Sequence, residues 1–311
     1  MALLNLNFNW SIDFMRYRTI AFVISAIIFF GTLSVIAIKG INYGVDFRGG
    51  YVLETRFEKA PSLQELRSKL EKLNVGQVSI QQVGISSNDL MIKMERDEKA
   101  KEEDSEQNLN KIKNTLGAGV EYRKIETVGP KASGELTKVA IKSILFALLG
   151  ILIYVAIRFD WQYAVSAVIT QLNDCVAILS LFSVFGLDFN ESAIIALLTT
   201  AGYSMNDTIV IFDRIRENVA KKTKMSLTEI INLSINETLS RTILTVVATM
   251  MALFAMYFFG GSVIAEFSLP IIVGIMVGTF SSIFVAAPLL LILGFKKTSA
   301  IAVNSKLNLV K

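Results

Sequence analysis

Gly202-Tyr-Ser-Met-Asn-Asp-Thr-Ile-Val-Ile-Phe-Asp-Arg-Ile-Arg216 is the stretch that decides how this chain must be built. It begins inside the apolar run 192–212 and ends in a cluster of charges. Asp207 therefore lies about five residues inside the run, roughly 8 Å deep at the rise of an α-helix. A carboxylate at that depth costs on the order of 2.5–3.5 kcal/mol on insertion scales, so it should face protein or water rather than lipid.

The residues around Asp207 leave two interpretations open. In one, Asp207 is a structural acid bonded to a neighbouring helix; in the other, it binds protons in a transporter. Tyr203 and Ser204 lie one turn earlier and Thr200 lies beyond them, which predicts a polar stripe along one face of the helix. Ionisable residues within a membrane span usually mark functional sites, and this favours proton binding.

The composition is that of a membrane protein without the common catalytic groups. Of the 311 residues, 52% are hydrophobic, which is too apolar for a soluble protein. There is no histidine and a single cysteine, Cys175, so imidazole catalysis, an internal disulfide and a thiolate metal site are excluded. No phosphate-binding GxxxxGK[ST] loop occurs. We expect a transport subunit rather than an ATPase or hydrolase, with no metal and no cofactor, and with protons as the coupling ion.

Apolar runs long enough to cross a bilayer predict six transmembrane helices. They cover residues 19–38, 139–157, 163–187, 192–212, 242–260 and 267–295. Helices 2–6 thus occupy residues 139–295, and a tail follows at 296–311. Residues 1–18 mix aromatic and basic side chains, which is typical of an interfacial segment on the membrane surface, although a loose tail fits the pattern as well.

Lysine and arginine are distributed unevenly between the two ends of these helices. They are concentrated in the segment 213–241 and in the tail, whereas the short connections 186–191 and 260–266 contain none. By the positive-inside rule, both termini are cytoplasmic. The segment 39–138 then lies on the other, periplasmic side.

Residues 39–138 are polar, charged and periodic, which indicates a soluble domain between the first two helices. The segment 45–57 reads as a strand pair, or as one strand broken at Gly49 and Gly50. Helices and strands then alternate, with a turn at 84–88 and a charged loop at 95–104. The order β-α-β-β-α-β is typical of a ferredoxin-like sandwich. The predicted fold is a polytopic α-helical membrane protein with six transmembrane helices and one α+β ferredoxin-like domain between helices 1 and 2.

Polar residues also interrupt other predicted spans. Asn173 and Asp174 lie midway along the third span, and Arg241 opens the fifth. Because the cytoplasmic ends of the fourth and fifth spans are expected to lie close, Arg241 could reach Asp207 and release it when the helices move. It could equally be an ordinary charge at the cytoplasmic edge that extends to lipid phosphates.

Two further patterns require no chemistry. Asp213 and Arg214 fit a solvated helix end just beyond the fourth apolar run. Gly274, Gly278 and Ser282 recur every four residues, which predicts a small-residue face for close helix packing on the sixth span.

Four segments together resemble one family of membrane proteins. They are Val45-Asp-Phe-Arg-Gly-Gly50, Glu126-Thr-Val-Gly-Pro130, the stretch that runs from Gly202 to Asn218, and Leu239-Ser-Arg-Thr242. In this order, with six spans and one external domain, they are similar to the SecF family, the smaller half of the bacterial SecDF protein-export complex. That complex is in turn similar to the resistance-nodulation-division transporters. The motif residues that carry the resemblance are Asp46, Phe47, Gly49, Gly50, Val128, Gly129, Pro130, Gly202, Tyr203, Asp213 and Arg214.

The resemblance implies a protein of the bacterial inner membrane that uses the proton motive force to assist preprotein export after the SecYEG and SecA step. It implies a proton pathway through Asp207, Arg241, Asp174 and Asn206. Asn173 departs from the family, which often has histidine there, so this neighbour cannot titrate. The implied partners are SecD, the SecYEG translocon, YajC, YidC, the preprotein and membrane lipids, with no nucleic acid.

Two other functions fit the residues. The chain could be half of a proton-driven exporter of small molecules or lipids, or a passive assembly scaffold in which Asp207 is structural. The six spans show no internal duplication, so a transporter of this kind needs a second half. We expect the polar stripe of the fourth span to face that partner.

Overall fold

The computed structural model describes residues 12–73, 76, 78–83, 88–95, 105–117 and 119–295. The predicted turn at 84–88 and charged loop at 95–104 lie largely outside the described residues, and the tail at 296–311 lies wholly outside them. In chain order the helices are α1 (Arg18–Lys39), α2 (Val45–Arg48), α3 (Leu63–Glu71), α4 (Ser105–Leu116), α5 (Pro130–Arg158), α6 (Trp161–Phe185), α7 (Glu191–Lys221), α8 (Leu227–Phe259), α9 (Gly261–Ser281) and α10 (Ala287–Ile292). The strands are β1 (Gly50–Phe57), β2 (Val78–Gln82), β3 (Asp89–Glu95) and β4 (Val120–Val128).

The prediction of six membrane-spanning helices is confirmed. Among the described residues, six helical segments are long and apolar enough to cross a membrane: α1, α5, α6, α7, α8 and the continuous segment from α9 to α10. More than half of the apolar part of α7 and of the last span is buried within the protein, at 56% each, against 6% for α5 and 11% for α8. The bundle is therefore built around α6, α7 and α9, and most of α5 and α8 faces outward.

The fourth and fifth membrane helices extend well beyond their apolar runs. The predicted connection over 213–241 is wrong, because α7 continues to Lys221 and α8 already begins at Leu227. The start of α8 is set by a capping box, in which the Glu229 amide donates to Ser226 Oγ at 3.2 Å and the Ser226 amide donates to Glu229 Oε2 at 2.6 Å. Arg241 consequently lies in the interior of α8 and does not open it.

The chain before α1 is attached to the first half of α8. The Phe14 amide donates to Asn232 Oδ1 at 2.8 Å, and Asn236 Nδ2 donates to the Ile12 carbonyl at 2.8 Å. Phe14 and Met15 are buried in the same hydrophobic core as the hairpin formed by the end of α7 and the start of α8. Residues 12–15 are thus bound to the protein rather than forming a loose tail, and residues 1–11 lie outside the described part of the chain.

The segment between α1 and α5 forms the predicted ferredoxin-like sandwich. Its four-stranded sheet has the order β2-β3-β1-β4, and every neighbouring pair is antiparallel. Helices α3 and α4 cover one face of the sheet, and the core between them contains Leu53, Leu70, Ile92 and Ile112. The domain leads directly into a membrane span, since α5 begins at Pro130, ahead of the predicted apolar run at 139–157.

The Asp-Phe-Arg-Gly-Gly segment is not the strand that its sequence suggested. Val45–Arg48 is one turn of helix, and Gly49 ends it with φ +81° and ψ 159°. This backbone conformation is nearly restricted to glycine. A Cβ at Gly49 would also lie 3.0 Å from the carbonyl oxygen of Val128. Gly49 belongs to the motif Val45–Gly50 and Val128 to the motif Glu126–Pro130, so these two motifs meet where the sheet joins the membrane helices.

The last span is interrupted by one π-helical turn. Pro270 lies inside α9, and Ser282–Ala286 forms a π-helix that separates α9 from α10. Such turns widen the backbone and are frequent at functional sites.

We expect Gly49→Ala to destabilise the external domain, because alanine would be strained in this backbone conformation and would press against Val128. The strain should lower the free energy of opening β1 and β4 by about 1–3 kcal/mol. Hydrogen exchange of the full chain, followed by mass spectrometry, measures this loss. Gly117→Ala is the matched control, since Gly117 has φ +89° but nothing within 4 Å of the added Cβ. Equal effects of the two substitutions would contradict the proposed contact.

Candidate functional site

Asp207 lines a cleft between α7, α8 and α9. The residue is 8% exposed, and the cleft has a volume of about 290 Å³. Its walls carry hydroxyl and amide groups as well as apolar side chains, namely Tyr203, Ser204, Asn206, Thr245, Val246, Ala248, Thr249, Ile275 and Thr279. The cleft is open to the outside of the bundle, so water or a partner can reach the carboxylate.

Asp207 has no bonded partner among the described residues. Arg241 acts on its carboxyl group through space, but no ion pair within 4.0 Å joins the two side chains. Arg241 is exposed on α8, one turn closer to the connection between α7 and α8 than Thr245. No ion pair joins Arg241 to Asp207 in this conformation, and both interpretations of Arg241, a partner of Asp207 or a charge that extends to lipid phosphates, stay predictions.

The polar stripe predicted on α7 is divided between two faces. Thr200 and Ser204 are buried against neighbouring helices, whereas Tyr203 is 47% exposed and Asn206 also faces outward. Asp207 lies between the two sets. Thr200 and Ser204 thus form an inner polar row that faces the bundle. Tyr203 and Asn206 form an outer polar row on the exposed face of the helix.

Asp174 is the second carboxylate of the site. It is fully buried on α6, and its Oδ2 accepts a hydrogen bond of 2.6 Å from the Ser204 hydroxyl. Its Oδ1 has no hydrogen-bond partner among the described residues. The neighbouring Asn173 is bound to α1, since its Oδ1 accepts from Ser25 at 2.8 Å. Ser204 thus joins α7 to α6 through Asp174.

Ser204 connects the two carboxylates. Its side chain lines the cleft of Asp207 and at the same time donates to Asp174. Spacing along α7 places Ser204 beside Asp207 but does not predict its bond to α6, because spacing along one helix does not show which helix packs against it.

Glycines of α9 allow the close approach that creates this link. A Cβ at Gly278 would lie 2.8 Å from Ser204 Cβ, and one at Gly274 would overlap Thr200. In the π-helical turn, the Ser282 hydroxyl lies 2.8 Å from Thr208 Oγ1 and donates to the Ser204 carbonyl at 3.3 Å. The predicted small-residue face of the sixth span is thus the packing surface against the inner row of α7.

The charged residues after the fourth apolar run have structural partners. Asp213 Oδ1 lies 3.0 Å from Arg158 on α5, and Arg214 bonds to Glu217 at 2.6 Å and to Glu237 at 2.7 Å. These contacts tie α7 to α5 and to α8. The predicted helix end at this point is wrong, because α7 continues to Lys221. That these residues carry no chemistry stays a prediction.

The Asp-Phe-Arg-Gly-Gly motif attaches the external domain to α7. Asp46 Oδ2 accepts a hydrogen bond of 2.9 Å from the Glu191 amide at the first residue of α7. Phe47 stacks on Phe189, with ring centroids 5.7 Å apart. A carboxylate at a helix N-terminus accepts a hydrogen bond from an otherwise unpaired amide, and its negative charge interacts favourably with the helix dipole. The motif therefore fixes the outer end of the helix that carries Asp207.

Comparisons with known proteins identify a single family. The family model described as "Protein export membrane protein SecD/SecF, C-terminal" matches residues 108–296, and "SecD/SecF GG Motif" matches residues 34–61. The protein translocase subunit SecF of Rickettsia rickettsii is 43% identical over 282 residues, covering 89% of this chain and 90% of the relative. SecF of Rickettsia prowazekii is 42% identical over 289 residues, covering 92% of each chain.

Solved structures agree in fold. The crystal structure of SecDF from Thermus thermophilus, a translocon-associated membrane protein, matches with a TM-score of 0.79 and 33% identity over 94% of this chain. SecDF in its super-membrane-facing form matches with a TM-score of 0.67 and 33% identity over 98% of this chain. The chain spans only 40% and 41% of those two SecDF chains.

We expect Gly278→Leu to destabilise the membrane bundle, because the added side chain would force α9 away from Ser204. Overpacking of this kind costs about 1–3 kcal/mol, so the melting temperature of the detergent-solubilised chain should fall by several degrees. The matched control is Gly150→Leu on α5, where the glycine is exposed and an added Cβ would meet nothing within 4 Å. If both variants melt like the unmodified protein, close packing at Gly278 is not required.

Proposed function

Because this chain belongs to the SecD/SecF family of protein-export membrane proteins, we propose that its buried carboxylates bind and pass the protons that power its part in translocation. The chain is a SecF-type translocase subunit and a multi-pass protein of the bacterial inner membrane. Its role is thus transport of protein, and the proposal concerns how protons are coupled to it.

The observation that carries the proposal is the bond from Ser204 to Asp174 beside the Asp207 cleft. A hydroxyl group can accept a proton on one side while it donates its own on the other. Ser204 touches the cleft and bonds to a carboxylate with an unused oxygen. We propose that a proton enters the cleft at Asp207 and exchanges with Asp174 through this serine.

Arg241 and Asn206 have supporting roles in this proposal. Arg241 lies on the helix that forms one wall of the cleft, and Asp207 has no other cation acting on it among the described residues. When Asp207 loses its proton, attraction between the two charges draws α7 and α8 together; when it gains one, the attraction ends. Asn206 lines the cleft and can hold water near the carboxyl group. Helix movement would thus follow the state of protonation.

One proton moving across the membrane supplies enough free energy to change the conformation of a domain. One proton that crosses a potential of about 100 mV releases about 2.3 kcal/mol. Conformational states of a domain commonly differ by a few kcal/mol, so this amount shifts their populations strongly. We propose periplasmic protons as the coupling ion, with both termini in the cytoplasm and the external domain in the periplasm, since the basic residues of the α7–α8 hairpin mark the cytoplasmic side.

We propose that SecD covers the outer polar row of α7. Gly202, Tyr203 and Asn206 are exposed along this row, and Arg241 and Thr245 are exposed on the neighbouring α8. The matched SecDF chains are more than twice as long as this chain, so they contain a second part that can supply the cover. The SecYEG translocon, YajC, YidC and the preprotein are further partners in the proposal, and they follow from the family rather than from a particular contact.

Asp207→Asn tests the proton role directly. The substitution keeps the shape of the side chain but removes its titration, so we expect proton-dependent export to fall by about tenfold or more. Export of a reporter preprotein should be measured in cells with and without an uncoupler, together with expression and co-purification of SecD. Asp213→Asn is the control, because Asp213 is an exposed acid of the same helix that pairs with Arg158. If cells with Asp207→Asn export normally, the proton role of Asp207 is wrong and only the passive scaffold remains.

Carbodiimide labelling distinguishes the two carboxylates. These reagents attack protonated carboxyl groups in apolar surroundings, and Asp207 opens to the cleft whereas Asp174 is fully buried. We expect mass spectrometry to find the adduct on Asp207, in a yield that increases as the pH is lowered. Asp207→Asn should abolish it. Labelling of Asp174 to the same extent would show that the access route runs elsewhere.

A further inference from the structure

A group of charged residues joins the external domain to the outer ends of two membrane helices. Lys93 of β3 places its Nζ 3.2 Å from Glu266 at the start of α9 and 3.8 Å from Asp188 before α7. The side chains of Lys93 and Asp188 are only 11% and 13% exposed. One lysine therefore cross-links three segments that are far apart in the sequence, and water is largely excluded from it.

Two asparagines tie this group to the membrane helices. Asn42 Nδ2 donates to Asp188 Oδ1 at 2.9 Å, and Asn190 Nδ2 donates to Glu266 Oε2 at 3.3 Å. Asn190 is also the N-cap of α7, since its Oδ1 accepts from the Ala193 amide at 3.0 Å. The same side chain thus touches the helix that carries Asp207 and Glu266 in the second turn of α9.

Negative charge exceeds positive charge in this group. A second pair is adjacent, in which Arg48 of α2 bonds to Glu95 of β3 at 2.7 Å. The described charged groups that face one another are two cations, Arg48 and Lys93, and three carboxylates, Glu95, Asp188 and Glu266. Asp46 lies nearby but is occupied by the Glu191 amide, and the Glu191 side chain is exposed. One carboxylate is therefore left without a cation of its own.

Burial makes that extra charge costly. It raises the pKa of Glu95, although the hydrogen bond from Arg48 opposes the rise, and Asp188 adds to it. Burial likewise raises the pKa of Asp188, against the attraction of Lys93 and with the help of Glu266. A carboxylate exposed by undocking would return to its ordinary pKa. The docked arrangement therefore binds a proton more tightly than the undocked one, so docking gains stability as the pH falls and loses it as the pH rises.

We infer that Lys93, Asp188, Glu266, Arg48 and Glu95 form a releasable latch, which holds the external domain on α7 and α9 while it carries a proton and lets the domain go when that proton leaves. The latch is distinct from the carboxylates within the membrane and does not depend on their role. It lies on the far side of the bundle from the cytoplasmic hairpin, where the external solution supplies its proton.

Geometry connects the latch to movements inside the bundle. The helices α7 and α9 touch at Ser204 and Gly278, and their outer ends carry Asn190 and Glu266, which are bonded to each other. Sliding of α7 along α9 would pull this bond apart and remove one of the two acids that hold Lys93. The domain is thus released either by loss of the latch proton or by a shift between the two central helices.

Distance measurements between spin labels test the latch. Gln64→Cys on α3 and Phe185→Cys at the outer end of α6 are exposed positions, and Cys175→Ser removes the natural thiol. The labelled chain is assembled with SecD in lipid nanodiscs. We expect one narrow distance at about pH 5.5 and a second, longer distance at about pH 8, where the exposed acids are fully ionised.

Substitutions separate the parts of the proposal. Lys93→Met should raise the ratio of undocked to docked protein about tenfold at high pH, because it leaves buried acids without their cation. Asp188→Asn mimics the protonated acid and should keep the domain docked at both pH values. Lys124→Met is the matched control, since Lys124 of β4 pairs only with the exposed Glu126 among the described residues.

The folded state of the domain is checked within the same experiment. Labels at Gln64 and Glu121, both inside the external domain, should keep their distance in Lys93→Met if the domain remains folded. If that internal distance is lost, Lys93→Arg and Lys93→Gln replace Lys93→Met: Lys93→Arg is expected to stay docked, whereas Lys93→Gln, which has no charge, should release the domain at high pH. Glu266→Gln mimics a protonated acid, as Asp188→Asn does, and should stay docked at both pH values. The proposal is overturned if the distance distribution is the same at both pH values and in all the latch variants.

Discussion

The structure depends on how two carboxylates are accommodated inside an apolar helix bundle. An acid in such surroundings needs a hydrogen bond, a cation or access to water. Asp174 obtains one hydrogen bond from Ser204, and Asp207 obtains access through the cleft. Both solutions require α7 to pack closely on α6 and α9, and Gly278 makes that approach possible. The central position of α7 in the bundle meets this requirement.

The helix α7 also links the two ends of the protein. Asp46 and Asn190 cap its outer end, and Arg158 and Glu237 hold its inner end through Asp213 and Arg214. A continuous helix of 31 residues is stiff on the scale of these contacts. A displacement of α7 that begins at Asp207 therefore reaches the external domain without an intervening hinge. The Asp-Phe-Arg-Gly-Gly motif, which joins the sheet to the membrane helices, would transmit this displacement to the external domain.

Much of this architecture was predictable from the sequence, because apolar length and strand periodicity are local signals. Six spans and the ferredoxin-like order both come from such signals. The full lengths of α7 and α8 were not predictable from hydropathy, since Arg214 and Glu237 stabilise helix beyond the apolar run. Arg241 was misplaced for the same reason. Contacts such as Ser204 with Asp174 depend on which helices pack together, and spacing along the chain does not encode that.

The outward surface of the bundle leaves polar groups of the site uncovered in the single subunit. Tyr203 and Asn206 are exposed beside Asp207, and Arg241 has no ion pair among the described residues. An arginine facing lipid costs on the order of 2.5–3.5 kcal/mol, and exposed polar groups add to that cost. In the proposed assembly, SecD would cover this surface, remove that cost and narrow the cleft. Assembly would therefore control proton access, so that an unassembled subunit would not complete a path for protons.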